Sequence, residues 1–293
     1  MRALLVLGRS GQVAQALARL APEFGYAASF VGRAEADLAH AEAASLIARH
    51  DPALIINAAG YTAVDKAESE PEDAFALNGD MPGRFARAAA AAGVPFVHIS
   101  TDSVFDGGLG RPYREDDARA PINVYGASKA AGEDAVLAAG GASGILRTAW
   151  VYGPDGANFV PTMLRLARER DALNVVGDQY GSPTWAEDVA RACLLVGAAL
   201  VEGRAEARGV FHAAGGGGAS RAELAQATFE ISAGLGGPSA RVTPVGAETY
   251  PVIAPRQADS RLDCSKLEGV IGWRPPPWRE SLARAMPAIL AAG

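Results

Sequence analysis

Tyr125 and Lys129 stand four positions apart in VYGASK (124–129). On a helix that spacing puts a phenol and an ammonium one above the other on the same face. A phenol titrates near 10 in water and is a poor acid at neutral pH. A nearby cation stabilises the phenolate, which makes the hydroxyl a proton donor to a carbonyl, or a base in reverse. On a merely solvated helix the same pair is a lysine stem lying over a ring. Convergence of other polar groups separates the two readings. STDSVFDG (100–107) brings Ser100, Thr101, Asp102 and Ser103 directly after an apolar run. Thr101 is placed to hold the same substrate oxygen by a second hydrogen bond.

A second chemical signal opens the chain. VLGRSGQVAQAL (6–17) spaces Gly8, Gly11 and Ala14 as G-x-x-G-x-x-A. The first glycine permits a tight strand-to-helix turn, and the second lets backbone approach a pyrophosphate. A small third residue allows the helix to pack closely on the strand. The helix N-terminus then offers free N–H groups to the phosphates, with Ser10, Gln12 and Val13 as local contacts. At the end of the next apolar run, FVGRAEADL (30–38), the position that selects NAD through an acid holds Arg33. An arginine there accommodates a 2′-phosphate, so NADPH is expected, with NADH as the alternative donor. Asp37 and Leu38 follow, placed to border the adenine.

These groups need a scaffold that brings residues 8, 33, 101 and 125 to one edge. ALLVL (3–7), ASFVG (28–32), ALIIN (53–57), PFVHIS (95–100) and GILRT (144–148) read as strands buried on both faces. Between them QVAQALARLAP, AEAASLIARH, PEDAFALNGDMPGRFARAAAAAG and NVYGASKAAGEDAVLAAG carry helical periodicity. This alternation predicts an α/β fold, a doubly wound parallel (Rossmann) sheet with right-handed crossovers. Ligands of such sheets bind outside the carboxyl ends of the strands, where Thr101 and Tyr125 belong.

After about residue 150 the alternation loosens. GANFVPTMLRLARERDAL (156–173) and WAEDVARACLLVGAAL (185–200) read as helices, and GVFHAAG (209–215) as a strand. The expected division is a nucleotide-binding domain over 1–150 and a smaller C-terminal substrate-binding lobe over 151–293. Segments from about 182 to 213 are expected to return to the first domain.

A net charge of −6 argues against nucleic acid as partner. No stretch reaches the 18 apolar residues of a membrane span. Cys193 and Cys264 share no metal-like or redox-like spacing and read as reduced thiols of a cytoplasmic protein.

The Thr…Tyr-x-x-x-Lys set behind an N-terminal glycine loop resembles the extended short-chain dehydrogenase/reductase superfamily. NAAGYTAVDKAESEPEDAFALN (57–78), STDSVFDG, APINVYGASK, RTAWVYG, DQYGSPT and DSRLD narrow the resemblance to the dTDP-4-dehydrorhamnose reductase family. The resemblance implies hydride transfer to C4 of a dTDP-linked 4-keto sugar, with Tyr125 protonating the oxyanion. It implies that Lys129 binds the nicotinamide ribose and that Ala59, Gly60, Tyr61 and Thr62 line the cofactor. Val64, Thr101, Asp102 and Trp150 match positions that contact the sugar, although an indole also suits a core. Arg256 and DQYGSPT are expected near the nucleotide end, where a guanidinium can grip a diphosphate bidentately.

Three departures from the family pattern stand out. Ser103 replaces a common tyrosine beside the sugar, and PRQADSRL (255–262) lacks a proline of the late motif. Ala16 stands where some members carry a glutamate of a Mg²⁺-linked dimer, so no metal site is carried over, and a homodimer stays open. Two rival readings share the resemblance. A nucleotide-sugar epimerase or dehydratase would keep the fold, but a dehydratase needs an acid pair where Asp102 is followed by Ser103. A regulatory subunit like that of methionine adenosyltransferase would act by docking instead.

Overall fold

The computed structural model describes residues 1–293. The first half runs β1 (Arg2–Leu7), α1 (Gln12–Leu20), β2 (Tyr26–Val31), α2 (Ala43–His50), β3 (Leu54–Asn57), α3 (Val64–Ala67), α4 (Pro71–Phe75), α5 (Met81–Ala91), β4 (Phe96–Thr101), α6 (Val124–Ala138) and β5 (Ser143–Thr148). The second runs β6 (Val151–Tyr152), α7 (Phe159–Ala167), β7 (Ala172–Val176), β8 (Tyr180–Gly181), β9 (Thr184–Trp185), α8 (Ala186–Val201), β10 (Gly209–His212), β11 (Ala219–Ser220), α9 (Arg221–Gly234), β12 (Arg241–Val245), α10 (Ser265–Ile271) and α11 (Trp278–Ala292).

Six strands form a parallel sheet in the order β10-β5-β4-β3-β1-β2. The chain leaves β1 for one side of the sheet and returns to the other through β3, so the switch point lies at β1 and β3. Successive residues of each strand point to opposite faces. Leu4, Val6, Ile56, Val97, Leu146 and Phe211 therefore pack under α1 and α8. Leu5, Leu7, Ile55, Phe96 and Ile145 pack on the other face with residues of α2, α5 and α6. Both faces are covered, which is why the strands read as continuous apolar runs.

A separate core joins Leu164, Leu173, Val175, Leu224, Phe229, Leu282 and Met286. Here one expected element differs. The helix predicted over 156–173 stops at Ala167, and Ala172–Val176 pairs as a parallel strand with β12. The strand's partner lies some seventy residues downstream, and local periodicity carries no sign of it. The long helical stretch 71–91 is also interrupted: residues 76–80 form a π turn that carries Asn78. No helix is long and apolar enough to cross a membrane.

Candidate active site

The glycine loop leaves β1 at Gly8, whose φ of +107° suits no side chain. A Cβ there would also press on the backbone of Ala58 and Ala59 at 3.1 Å. The end of β1 and the loop after β3 are therefore in direct backbone contact. Gly11 caps α1 without any side-chain hydrogen bond, and the first turn of α1 holds no acid. A Cβ on Gly11 would meet nothing within 4 Å. An uncapped helix N-terminus facing open space is a fitting seat for a diphosphate. Ser10 is exposed, Val13 packs against the core, and Gln12 donates to the Val151 carbonyl at 3.3 Å.

Arg33 is exposed beyond the end of β2. It has a neighbour that spacing did not single out: Arg9 of the glycine loop pairs with Glu35 at 2.6 Å and donates to the Phe30 carbonyl at 2.9 Å. Two guanidiniums thus border the place where a 2′-phosphate would sit. The signal was available, since Arg9 is itself one of the variable positions of the glycine motif. Asp37 is exposed and accepts from the Ala39 N–H, while Leu38 is drawn into the core with Leu46.

TAVDKAESEP explains itself as a set of ties. Asp65 accepts from the Ala254 N–H at 3.0 Å and pairs with Arg256 at 2.9 Å. Glu68 accepts from the Val124 N–H, at the start of α6, at 2.8 Å. Glu70 accepts from the Tyr61 hydroxyl at 2.7 Å and pairs with Lys66. Asn78, raised by the π turn, accepts from the Tyr61 N–H and donates to the Tyr61 carbonyl and to Ser128. Ala59, Gly60 and Tyr61 are thereby fixed between β3 and α6. Thr62 is exposed, and Val64 opens α3 partly buried.

Thr101 ends β4. Its hydroxyl accepts from the Ser103 N–H at 3.1 Å and donates to Asp102 at 3.0 Å. Asp102 also accepts from Ser260 at 2.5 Å; burial raises its carboxyl above the usual range, and these two hydrogen bonds oppose the rise. Asn123 caps α6 by accepting from the Gly126 N–H at 2.8 Å, and its amide donates to the Pro255 carbonyl at 2.9 Å. A Cβ on Gly126 would collide with the Ser103 carbonyl. That close approach seats Tyr125 beside Thr101. Burial pushes the Tyr125 hydroxyl up to about 12, against a hydrogen-bonding interaction with Thr101 that works the other way.

Lys129 is buried and donates to the Ile99 carbonyl at 2.6 Å. Burial pushes its ammonium down to about 8. The amine is engaged with β4, and desolvation of Tyr125 dominates. A phenol so held is fully protonated at neutral pH, the form a proton donor needs.

Trp150 follows β5 with φ of +44°, a conformation that bulky residues rarely adopt. Its indole lies on Gly181 of DQYGSPT, where any Cβ would collide with it. Arg221, the first residue of α9, stacks over the indole at 3.6 Å. Burial pulls that guanidinium down to about 10, and the charge of Asp102 opposes the shift. Beyond this pair lies a cavity of about 620 Å³ with Phe159, Leu173 and Tyr250 in its lining and Arg170, Arg221 and Arg256 around it. An apolar slot bordered by three guanidiniums matches a base with a charged diphosphate attached. Arg221 and Ser260 escaped sequence reading. Ser220 and Glu223 form a capping box that marks the start of α9, but nothing local says that this start faces a cavity.

A turn built to admit phosphates at the switch point, with Thr101 at the end of β4 and Tyr125 beside it in the first turn of α6, defines a nicotinamide-dependent oxidoreductase of the extended short-chain class. Structures of sugar-nucleotide enzymes such as the UDP-glucose 4-epimerase of Brucella ovis, at 21% identity and a TM-score of 0.77, share that fold. The chain belongs to the family described as RmlD substrate binding domain, whose family model matches residues 1–290. It is 46% identical to the dTDP-4-dehydrorhamnose reductase of Sinorhizobium fredii, over 99% of this chain and 98% of that one. It is 43% identical to the enzyme of the same name from Streptomyces griseus, over 97% and 93%. Among solved structures, the dTDP-4-dehydrorhamnose reductase of Clostridium acetobutylicum superposes with a TM-score of 0.90 at 33% identity, covering 97% of this chain and 98% of that one. The Bacillus anthracis enzyme in complex with NADP superposes with a TM-score of 0.89, also at 33% identity, and covers 97% and 98%.

Proposed function

We propose that this chain reduces the C4 keto group of dTDP-4-dehydro-L-rhamnose with NADPH, giving dTDP-L-rhamnose, the last step in making that sugar nucleotide. The observation that carries the reading is the placement of Thr101 and Tyr125 at the carboxyl edge of the sheet, between the glycine turn and the arginine-bordered cavity. Residues 1–150, completed by α8 and β10, form the nucleotide-binding part in this reading, and 151–293 mainly the sugar-nucleotide lobe. The pairing of β10 with β5 and the packing of α8 on the sheet support that division.

Gly8, Ser10, Gly11, Gln12 and Val13 would hold the diphosphate of NADPH, Arg33 and Arg9 its 2′-phosphate, and Ala59–Thr62 with Lys129 the nicotinamide half. Bound there, NADPH supplies the hydride. Thr101 turns its hydroxyl from Asp102 to the keto oxygen, Tyr125 holds the same oxygen, and Tyr125 gives its hydroxyl proton to it as C4 becomes a secondary alcohol. Trp150 and Val64 flank the sugar, Asp102 keeps Thr101 oriented, and Arg221 and Arg256 receive the diphosphate of dTDP. Ser103, partly buried at the end of β4, leaves more room beside the sugar than an aromatic ring would.

The test is to mix the purified chain with dTDP-4-dehydro-L-rhamnose and NADPH and follow the reduced nicotinamide. Sugar-dependent consumption matched by formation of dTDP-L-rhamnose is expected. Failure to consume NADPH while both ligands bind would overturn the assignment of substrate.

A further inference from the structure

His98 is fully buried on β4 and has no part in the reduction described above. Its Nδ1 lies 3.0 Å from the Asn57 side-chain nitrogen, and its Nε2 lies 3.5 Å from Lys129 Nζ. The orientation of the Asn57 amide is set from elsewhere: its oxygen accepts from the Ala59 N–H at 3.1 Å. The amide therefore turns its NH₂ toward the imidazole and donates to Nδ1. Burial holds the imidazole well below its usual range, helped by the Lys129 charge, so it is neutral. A neutral imidazole that accepts at Nδ1 carries its one proton on Nε2. That N–H points at Lys129.

Lys129 Nζ thus has one acceptor beside it, the Ile99 carbonyl at 2.6 Å, and one N–H at 3.5 Å. An ammonium has donors only and would set N–H against N–H, whereas the neutral amine has a lone pair to receive the imidazole proton. The other groups around the pair do not reverse this. Glu133, one turn along α6, favours the ammonium. Its carboxylate is taken up by Arg147 at 2.8 and 2.7 Å, by Ser100 at 2.6 Å and by Arg119 at 3.2 Å. Tyr125 lies one turn back on α6 as a neutral phenol, and Asn57 of β3 and Asn78 of the π turn are uncharged.

We propose that His98 is a positioning residue for the reduction: its Nε2–H, fixed by Asn57, faces the Lys129 amine and sets how readily that amine takes a proton. The inference rests on the reductase reading.

Two measurements test the proposal apart from turnover. In ¹⁵N-histidine-labelled protein, the ring nitrogens of His98 are expected to show the Nε2–H tautomer at neutral pH. The Nδ1–H tautomer, or a charged ring, would overturn the proposal in the unmodified chain. Lys66 and Lys266 are exposed, so ¹³C-lysine labelling separates the signal of Lys129 from theirs. Lys129 is expected to titrate well below those two, and H98Q, whose amide oxygen can turn to the amine, is expected to raise it by about one pH unit or more. In the same variant the alkaline limb of turnover moves upward with it. A Lys129 titration unchanged in folded H98Q, or equal to that of Lys66 in the unmodified protein, would sink the role. Loss of turnover with an unmoved titration would also count against it, as purely structural damage.

Discussion

The two walls of the cleft are built by different means. On the cofactor wall, backbone meets backbone: Gly8 runs so close to Ala58 that a Cβ on it would lie 3.1 Å from that backbone, and the N-terminus of α1 is left bare. The turn itself, from Gly8 to Gln12, is set by local sequence. The substrate wall is assembled from side chains of remote segments. Asp102 and Ser260 are tied together across 158 residues, Asp65 and Arg256 across 191, and Asn123 and Pro255 across 132. Trp150, Gly181 and Arg221 interlock in the same manner. A backbone-built wall suits a ligand that every related enzyme shares. A wall of side-chain ties can be altered one tie at a time, which is where a change of sugar would be accommodated. The departure at Ser103 falls on that second wall.

The sharpest effect belongs to the group between the walls. Tyr125→Phe is expected to leave NADPH binding intact and lower turnover by about 10²–10⁴-fold, as measured by steady-state kinetics with equilibrium titration of the cofactor. A variant keeping more than half the activity would remove Tyr125 from its role.

Lys129 predicts an effect on stability. Its folded pKa, about 8, is below the ordinary 10.5. Between those values the unfolded chain binds more protons than the folded one, so stability rises with pH across the window. Urea unfolding of wild type and Lys129→Met should converge on, or cross toward, the wild type by about 2–3 kcal/mol between neutral pH and pH ~10. A difference independent of pH would mean that the folded chain holds Lys129 as an ordinary ammonium.

The contrast between the walls is tested directly by two alanines. Gly181→Ala forces the Trp150 indole out of place and is expected to lower kcat/KM for the sugar by about 10–100-fold, with the NADPH Kd unchanged. Gly8→Ala should do the reverse, weakening NADPH by a similar factor through strain and crowding at the turn. If each variant injured both ligands equally, the walls would not be separable.

Arg33→Ala is a finer probe. Loss of one charge-assisted contact should weaken NADPH about tenfold and leave NADH nearly unchanged. Equal weakening would assign the 2′-phosphate to Arg9 alone or to neither. The smallest effect is expected from Asp65→Asn, which loosens a partly exposed ion pair worth roughly 0.2–1 kcal/mol and should raise the sugar KM only a few-fold. An unchanged KM would place the Asp65–Arg256 tie outside substrate binding.

The parallel sheet, the glycine turn and the Tyr125–Lys129 spacing were legible because each depends on local pattern. Buried parallel strands must be apolar throughout, a tight turn onto a helix needs Gly8, and residues four apart on a helix share a face. The strand Ala172–Val176 was not legible, because its partner, Arg241–Val245, decides it. Nor were Arg221 and Ser260, whose places depend on how α9 and the late loop fold back toward β4.

The sequence by itself determined the doubly wound class, the cofactor turn and the shared face of Tyr125 and Lys129, since short-range sterics and periodicity suffice for each. Only the tertiary structure decided that Lys129 faces Ile99 and His98, and that Asp65, Glu68 and Asn123 bind the α3 segment and α6 to each other and to residues 254–256. Those outcomes turn on desolvation and on hydrogen-bond partners far apart in the chain, and both exist only once the chain has closed on itself.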